Sequence, residues 1–491
     1  MDNVTQTELL AKPDVANALQ GVITAASHFM EVVVTGSFAD REQALLAALQ
    51  EGGRVALERD LQRIEDALPA HVAVGTEKRV YKEHQPGTDT YLSLFGDLQV
   101  RRRSFREVGV RNGPTVIALE LCAGLVEGAT PAFAYNVSEG YGLHDMRKHQ
   151  KVLASSHRHV PPRATLERLA GRLAARIDAQ VPAIEPIVRA SEMLPAGTCA
   201  ISIGLDRTSA PMAEPRPEGA PRKPRRSRRK PRVRVAPPPI DINYRMAYVG
   251  TVTYLDEHGE SLGVRRYAGP ASSPPEDLCA RMAADIEVAL RQHPGLLVLA
   301  VQDGAPEMWN LVRDAIRPLR RPDCLTNYFE AVDIMHVLGH LSDALVALGD
   351  DEPSRKRRAN EWHEHLLARD SAIDNIEIEL RDRLALMSGA ARSALEDELT
   401  YLKNNKDRMR YAGLARRGLP LGSGVTESAA KTVINQRAKG AGQRWKQAGL
   451  RGVLGVRSIV QSERLPAFWV HFSRLYVANI TCIPPRKRSA A

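Results

Sequence analysis

Ala200-Ile201-Ser202-Ile203-Gly204-Leu205-Asp206 alternates small or polar residues with apolar ones, the pattern of a half-buried β-strand. Ile201, Ile203 and Leu205 would face a core. Ala200, Ser202 and Gly204 share the other face with Asp206, leaving open space around a carboxylate at the strand's end. Further on, Leu296-Leu297-Val298-Leu299-Ala300-Val301 is a continuous apolar run, the signature of a strand buried on both faces, and it ends at Gln302-Asp303-Gly304. Between these two stretches the pattern predicts strands over 246–255 and 261–267, joined by the turn Asp256-Glu257-His258-Gly259, then a helix over 275–291. After them come a helix over 306–319, a strand over 327–333, and mostly helices as far as Arg417. The expected architecture is therefore α/β: a mixed five-stranded sheet flanked by helices.

Outward from this region the chain changes character. Residues 1–75 read as helical, with apolar side chains at three- and four-residue spacing over 42–49 and 55–68. A hairpin is expected over 91–105, turning at Gly96-Asp97 and ending in Arg101-Arg102-Arg103. Helices return from Thr115, and Leu166, Leu169, Leu173 and Ile177 share one face after the break at Pro161-Pro162. Such a helix is compatible with helix-turn-helix DNA reading, and equally with an ordinary bundle. With 491 residues, two to four domains are expected of the chain as a whole.

Charge is unevenly spread. Nine Lys and Arg residues between Arg222 and Arg234 account for all but one of the net +10. A cationic run of that density attracts polyphosphate through counterion release, and nucleic acid is the partner it favours over a merely solvated linker. The Pro/Arg-rich stretch 210–240 cannot bury a core and is expected to be a disordered insertion. The five cysteines stand singly, none at zinc or redox spacing, which fits a reducing, cytoplasmic compartment. No secretory signal is expected from the opening residues, and no apolar run approaches the roughly 20 residues a membrane span needs.

The chemistry-bearing residues are carboxylates. Phosphodiester transfer uses two divalent ions, one activating the attacking oxygen and one steadying the leaving oxygen. Magnesium takes hard oxygen ligands and keeps much of its water, so two or three carboxylates suffice. Asp206 and Asp303 end two strands, and Glu427 opens a helix after Gly422-Ser423-Gly424. Singly each has an ordinary explanation: Asp-Gly is a common turn, and Glu near a helix start is favoured by the dipole. Their order on successive elements is what gives them weight. His144, His149, His157 and His159 lack acidic or thiol partners at ligand spacing, and His363-Glu364-His365 puts its histidines on different helix faces, so neither group is expected to hold metal.

Leu419-Pro420-Leu421-Gly422-Ser423-Gly424-Val425-Thr426-Glu427-Ser428, with Gln436-Arg437 and Arg444-Trp445 beyond it, resembles the C-terminal signature of bacterial insertion-sequence transposases of the Kra type, relatives of the Mutator-like group. Gly204-Leu205-Asp206-Arg207-Thr208 with Pro211-Met212 resembles the family's first-aspartate motif, and Val301-Gln302-Asp303-Gly304-Ala305 its second. Asp333-Ile334-Met335-His336 matches an Asp-x-x-His element, and Arg408-Met409-Arg410-Tyr411 also has the family's look. The likeness covers roughly residues 200–465.

The resemblance implies a ribonuclease H-like catalytic core, with which the order of predicted elements agrees. It also implies a DDE mechanism, in which water hydrolyses the strand at an element end and the freed 3′-hydroxyl attacks target DNA. Asp206, Asp303 and Glu427 would be ligands of two Mg²⁺ ions, with Mn²⁺ as substitute. His336 would contact the scissile phosphate or orient a ligand, placed by Asp333; a helix N-cap aspartate with a histidine one turn later is the plain alternative. Arg437, Lys439, Arg444 and Trp445 would hold phosphate and stack a base, and Arg225, Arg226, Arg228, Arg229 and Lys230 would add contacts from the basic insertion. The implied division is a helical N-terminal region (1–75), a DNA-end-binding region (76–195), the catalytic core (196–470, with the basic insertion 210–240 and a helical insertion 335–417) and a C-terminal tail (471–491). Partners would be double-stranded DNA, both terminal repeats and target, bound by a homo-oligomer near the nucleoid and away from membranes. Unlike some relatives, the chain has no cysteine between Arg103 and Thr115, so any DNA reading by that half is zinc-free. Two other functions stay open on sequence alone: a non-catalytic DNA-binding protein derived from a transposase, and a hydrolytic nuclease of the same fold.

Overall fold

The computed structural model describes residues 37–216, 240–478 and 480–483. The chain forms two compact units, one made of residues up to Ile184 together with those from Leu465 onward, the other running from Glu185 to Arg464.

In the first unit, helix α1 (Phe38–Asp66) starts at Ser37, whose hydroxyl accepts from the Asp40 amide while the Asp40 side chain returns to the Ser37 backbone, a reciprocal cap. A sheet follows: β1 (His71–Val74), β2 (Arg79–Leu92), β3 (Asp97–Glu107) and β4 (Thr115–Val116), all antiparallel in sequence order. The β2–β3 hairpin turns at Gly96, as its sequence predicts, with the Ser93 hydroxyl donating to the Gly96 carbonyl at 2.8 Å. Tyr91, Leu98 and Val100 close over Leu61 and Leu119. Helices α2 (Ala118–Ala123), α3 (Pro131–Leu143), α4 (Met146–Ser155) and the long α5 (Arg163–Ser191) come next.

The second unit is built on a mixed sheet. Strand β5 (Ala200–Pro215) lies between β6 (Ile240–Leu255) and β8 (Leu297–Gln302); β7 (Ser261–Pro270) flanks β6 and β9 (Tyr328–Val332) flanks β8. The order is thus β7-β6-β5-β8-β9, antiparallel across β7, β6 and β5, then parallel from β5 to β8 to β9. Helix α6 (Pro275–Gln292) joins β7 to β8, and α7 (Pro306–Ile316) joins β8 to β9. Ile201, Ile203, Val298 and Ala300 point into a large core shared with α6, α7 and α8 (Ile334–Ala347). Leu299, Val301 and Ala331 point the other way, into a smaller cluster with Leu414 and Leu419. The predicted double burial of the 296–301 run is therefore observed.

Helices α9 (Glu352–Ala368), α10 (Ala372–Leu384), α11 (Gly389–Asn405) and α12 (Tyr411–Ala415) fill the stretch read as a helical insertion. Helix α13 (Gly424–Ala429) passes through a π-helical segment, Ala430–Asn435, into the short α14 (Gln436–Ala438), and α15 (Gln447–Gln461) packs against β7. Finally α16 (Leu465–Arg474) and β10 (Ile480–Cys482) return to the first unit, where β10 pairs with β1 through Val72 and Cys482.

Three sequence expectations change. Residues 471–491 are not simply a tail, since α16 and β10 occupy part of them. Residues 71–74 are strand rather than helix. Of the stretch 210–240 expected to be a disordered insertion, residues 210–215 are strand and 217–239 lie outside the described residues: β5 continues through Pro215 and pairs with β6 rung by rung, Met212 opposite Asn243 and Glu214 opposite Asp241. Proline does not stop it because, among the described residues, the ladder with β8 covers only Ala200–Ile203 of β5, and beyond it that edge meets a single bridge to Trp445 rather than a strand. The Pro211 carbonyl accepts from the Trp445 amide on that edge, so the proline nitrogen, which lacks a hydrogen, faces away from β6 as well. Arg225, Arg226, Arg228, Arg229 and Lys230 lie outside the described residues. Among the described residues, no helix is long and apolar enough to cross a membrane.

Candidate active site

Asp206, Asp303 and Glu427 line one cavity of about 490 Å³ in the second unit, together with Asp333, His336 and Lys431. Three elements deliver the carboxylates. Asp206 lies in β5 just beyond the last rung with β8, and accepts from the Arg207 amide at 2.6 Å. Asp303 directly follows β8; its side chain accepts from the Ala305 amide at 3.2 Å and its carbonyl from the indole of Trp309 at 2.9 Å. Glu427 sits in the first turn of α13, more than half exposed, with the Lys431 ammonium 3.9 Å away.

Glycine at 204 brings the helix to the strand. A Cβ there would stand 2.1 Å from the Thr426 hydroxyl and 3.1 Å from the Val301 carbonyl. The face expected to be open around Asp206 is therefore filled by the residue preceding Glu427. The same hydroxyl meets Thr251 of β6 at 2.7 Å, in a buried contact that ties α13 to β5 and β6. Neither threonine is evident as a site residue from sequence, because both read as ordinary strand or helix positions.

Asp333 and His336 take separate parts. Asp333 caps α8, one carboxylate oxygen accepting from the amides of Met335 at 2.7 Å and His336 at 3.3 Å. Its other oxygen accepts from the Ser423 amide and hydroxyl, each at 2.6 Å, so the same side chain fixes the loop that leads into Glu427. Burial favours the neutral acid, yet the Ser423 bonds and the two amides outweigh it and hold this carboxyl below its usual range. His336 is exposed at the cavity, its ring 5.2 Å from that of His340. The N-cap alternative is thus observed for Asp333, and His336 lines the cavity.

The electrostatics at Asp206 are those of crowded negative charge. Burial first, opposed by the Arg207 amide, and then the charges of Asp303 and Glu427 hold its carboxyl above the usual value. Among the described residues, no three His, Cys, Asp or Glu side chains stand close enough together to form a ready-made metal cage. The donor set nevertheless suits a hard divalent cation: carboxylates only, repelling one another, in a cavity wide enough to leave an ion much of its water.

The other expected DNA contacts are dispersed. Lys439 donates to the Thr208 hydroxyl at 2.7 Å, two residues past Asp206. Arg437 is buried, its guanidinium 4.9 Å from the Trp445 ring centre, and the Trp445 indole donates to the Ala438 carbonyl at 3.1 Å. One face of that ring is thus covered by Arg437, whereas Arg444 is exposed. Arg457 was not foreseen: it is buried and donates to the Val433 carbonyl at 2.8 Å and to the Thr432 carbonyl, filling acceptors that the π-helical segment leaves open.

No family model matches this chain, and no curated protein matches it either. Among solved structures it is similar to one described as a Drosophila P element transposase strand transfer complex, at 10% identity and a TM-score of 0.23, covering 69% of this chain and 80% of that one. A likeness that low carries no argument about fold or chemistry.

Proposed function

We propose that this chain is a DNA transposase that cuts and joins strands at a divalent-metal site on a ribonuclease H-like core. The observation that carries the reading is the convergence of Asp206, Asp303 and Glu427, far apart in sequence, on one cavity. The sheet order β7-β6-β5-β8-β9, with Asp206 in the central strand and Asp303 after its parallel neighbour, supports the core assignment. The DDE assignment, and the Kra-type and Mutator-like kinship, rest on the resemblance of the quoted motifs.

Asp206, Asp303 and Glu427 would hold two Mg²⁺ or Mn²⁺ ions, which when bound activate the attacking oxygen and neutralise charge on the leaving oxygen. Asp333 keeps its charge for the Ser423 loop and so positions Glu427 without joining the donor set. His336, exposed at the cavity, offers an N–H to a phosphate oxygen. Lys431 and Lys439 place positive charge where the DNA backbone would enter. In the first step water attacks phosphorus, the bond to the 3′-oxygen breaks, and that oxygen leaves as a 3′-hydroxyl. In the second step this hydroxyl attacks a target phosphorus and a target 3′-oxygen leaves. Residues 76–195 would bind the element end, with the basic run at 222–234 adding non-specific affinity, and the enzyme would act as an oligomer on two ends.

The test is cleavage of a labelled duplex taken from the DNA flanking the reading frame, with Mg²⁺ or Mn²⁺. Wild type is expected to cut, whereas Glu427→Gln is expected to lose about a thousandfold or more in rate and still bind the duplex. A Glu427→Gln variant that cuts at the wild-type rate would falsify the assignment. A wild type that binds and never cuts would favour a DNA-binding protein.

A further inference from the structure

A second cavity in the same unit, of about 470 Å³, is lined by four arginines: Arg313, Arg408, Arg410 and Arg417. Two of them are engaged by carboxylates. Arg313 forks onto Glu330, its Nε 2.7 Å from Oε1, and Arg410 reaches Asp374 at 2.5 Å. Arg408 and Arg417 have no carboxylate at ion-pair distance among the described residues. The acids lining the cavity are otherwise committed or outlying. Glu330 serves Arg313 and the Tyr328 hydroxyl, Asp370 accepts from the Gly413 amide at 2.8 Å and from Arg416, and Asp407 is 94% exposed.

Both unengaged guanidinium groups are held in place. Arg408 lies over the indole of buried Trp309, 4.6 Å from its centre, and donates to the Asn404 carbonyl at 3.1 Å. Arg417 lies over the Phe329 ring at 5.3 Å and donates to the Gly413 carbonyl at 2.6 Å. A planar group fixed by an aromatic face and one carbonyl keeps its remaining N–H donors aimed and loses little entropy on binding. Burial and the nearby charge of Arg313 disfavour the charged form of Arg408, a cost that an incoming anion would remove. Trp309 also bonds the carbonyl of Asp303, so the platform under Arg408 is tied directly to the candidate active site.

We propose that Arg408 and Arg417 form a phosphate clamp that grips the backbone of the DNA strand held at the carboxylate cavity. The clamp rests on the function proposed above and adds a second, non-catalytic anchoring point to it. Its effect is on binding, and through counterion release on the salt dependence of binding.

The experiment measures affinity of the full chain for the element-end duplex in EDTA, between about 50 and 200 mM salt. Wild type is compared with Arg408→Gln, Arg417→Gln and the double variant. Each single change is expected to reduce the slope of log affinity against log salt by about 1, and the double change by about 2. Arg417 is exposed, so its replacement leaves the core intact even where Arg408→Gln fails to fold. Unchanged slopes in a chain whose wild type still cuts with Mg²⁺ overturn the clamp and leave the proposed function standing. A wild type that binds no duplex overturns both. Inorganic phosphate bound by wild type and lost in Arg417→Gln, with the duplex slope unchanged, would assign the cavity to a free anion and overturn the DNA clamp.

Discussion

Gly204 sets the distance between the two halves of the candidate active site. With a hydrogen in place of a side chain, β5 accepts the Thr426 hydroxyl where any Cβ would collide with it at 2.1 Å. Gly204→Ala must push α13 outward or bend β5. Overpacking of this kind costs about 1–3 kcal/mol, and the displaced element is the one that carries Glu427. The variant is expected to lose that much stability by urea titration and to lose cleavage well beyond it, with duplex affinity near wild type. Full activity in Gly204→Ala would mean that the placement of α13 does not matter. At this scale two local placements were readable, Asp303 after a strand and Glu427 at a helix start, whereas Asp206, expected at a strand's end, lies within β5. Thr426, Thr251 and Ser423 were not readable, because their role is contact between residues remote in the chain.

At the scale of single elements, the period of the chain foretold β8, α6 and α7 close to where they lie; for the β2–β3 hairpin it foretold the turn and β3, but not β2, which begins at Arg79 rather than Tyr91. It did not foretell the far half of β5. Pro211 and Pro215 fall in a stretch read as a disordered insertion, and the strand tolerates them because the ladder with β8 does not run past Ile203. The π-helical segment is equally silent in sequence, since the carbonyls it frees are met by Arg457 from α15. Helix α4 offers a prediction of its own through His149, set aside as a metal ligand. It is buried, neither ring nitrogen has a hydrogen-bond partner among the described residues, and burial with the nearby His144 lowers its pKa to about 4. The unfolded chain binds a proton there near 6.5 and the folded chain does not, so folding loses stability as pH falls from 6.5 towards 4. The shift corresponds to about 3 kcal/mol. Thermal unfolding of the full chain should show the first unit weakening over that window in wild type and much less in His149→Leu. Equal pH dependence in the two proteins would contradict the burial of a neutral ring.

Taken as a whole, the chain's last strand is a place where local reading fails. β10 completes the first unit by pairing with β1, across nearly the whole length of the sequence. Three apolar or small residues near a terminus carry no signal for that pairing; only the partner edge does. The second unit was more legible, because its strands and helices alternate in the order that a mixed sheet demands. The account as a whole turns on whether Asp303 is a metal ligand. The most direct measurement is cleavage by Asp303→Cys on the element-end duplex in Mg²⁺ and again in Mn²⁺. A thiolate is a poor ligand for magnesium and a better one for the softer manganese. The account predicts a variant that binds DNA normally, is inactive with Mg²⁺ and regains cutting with Mn²⁺. Wild-type cutting with Mg²⁺, or silence with both ions while the fold and DNA binding are intact, would contradict it.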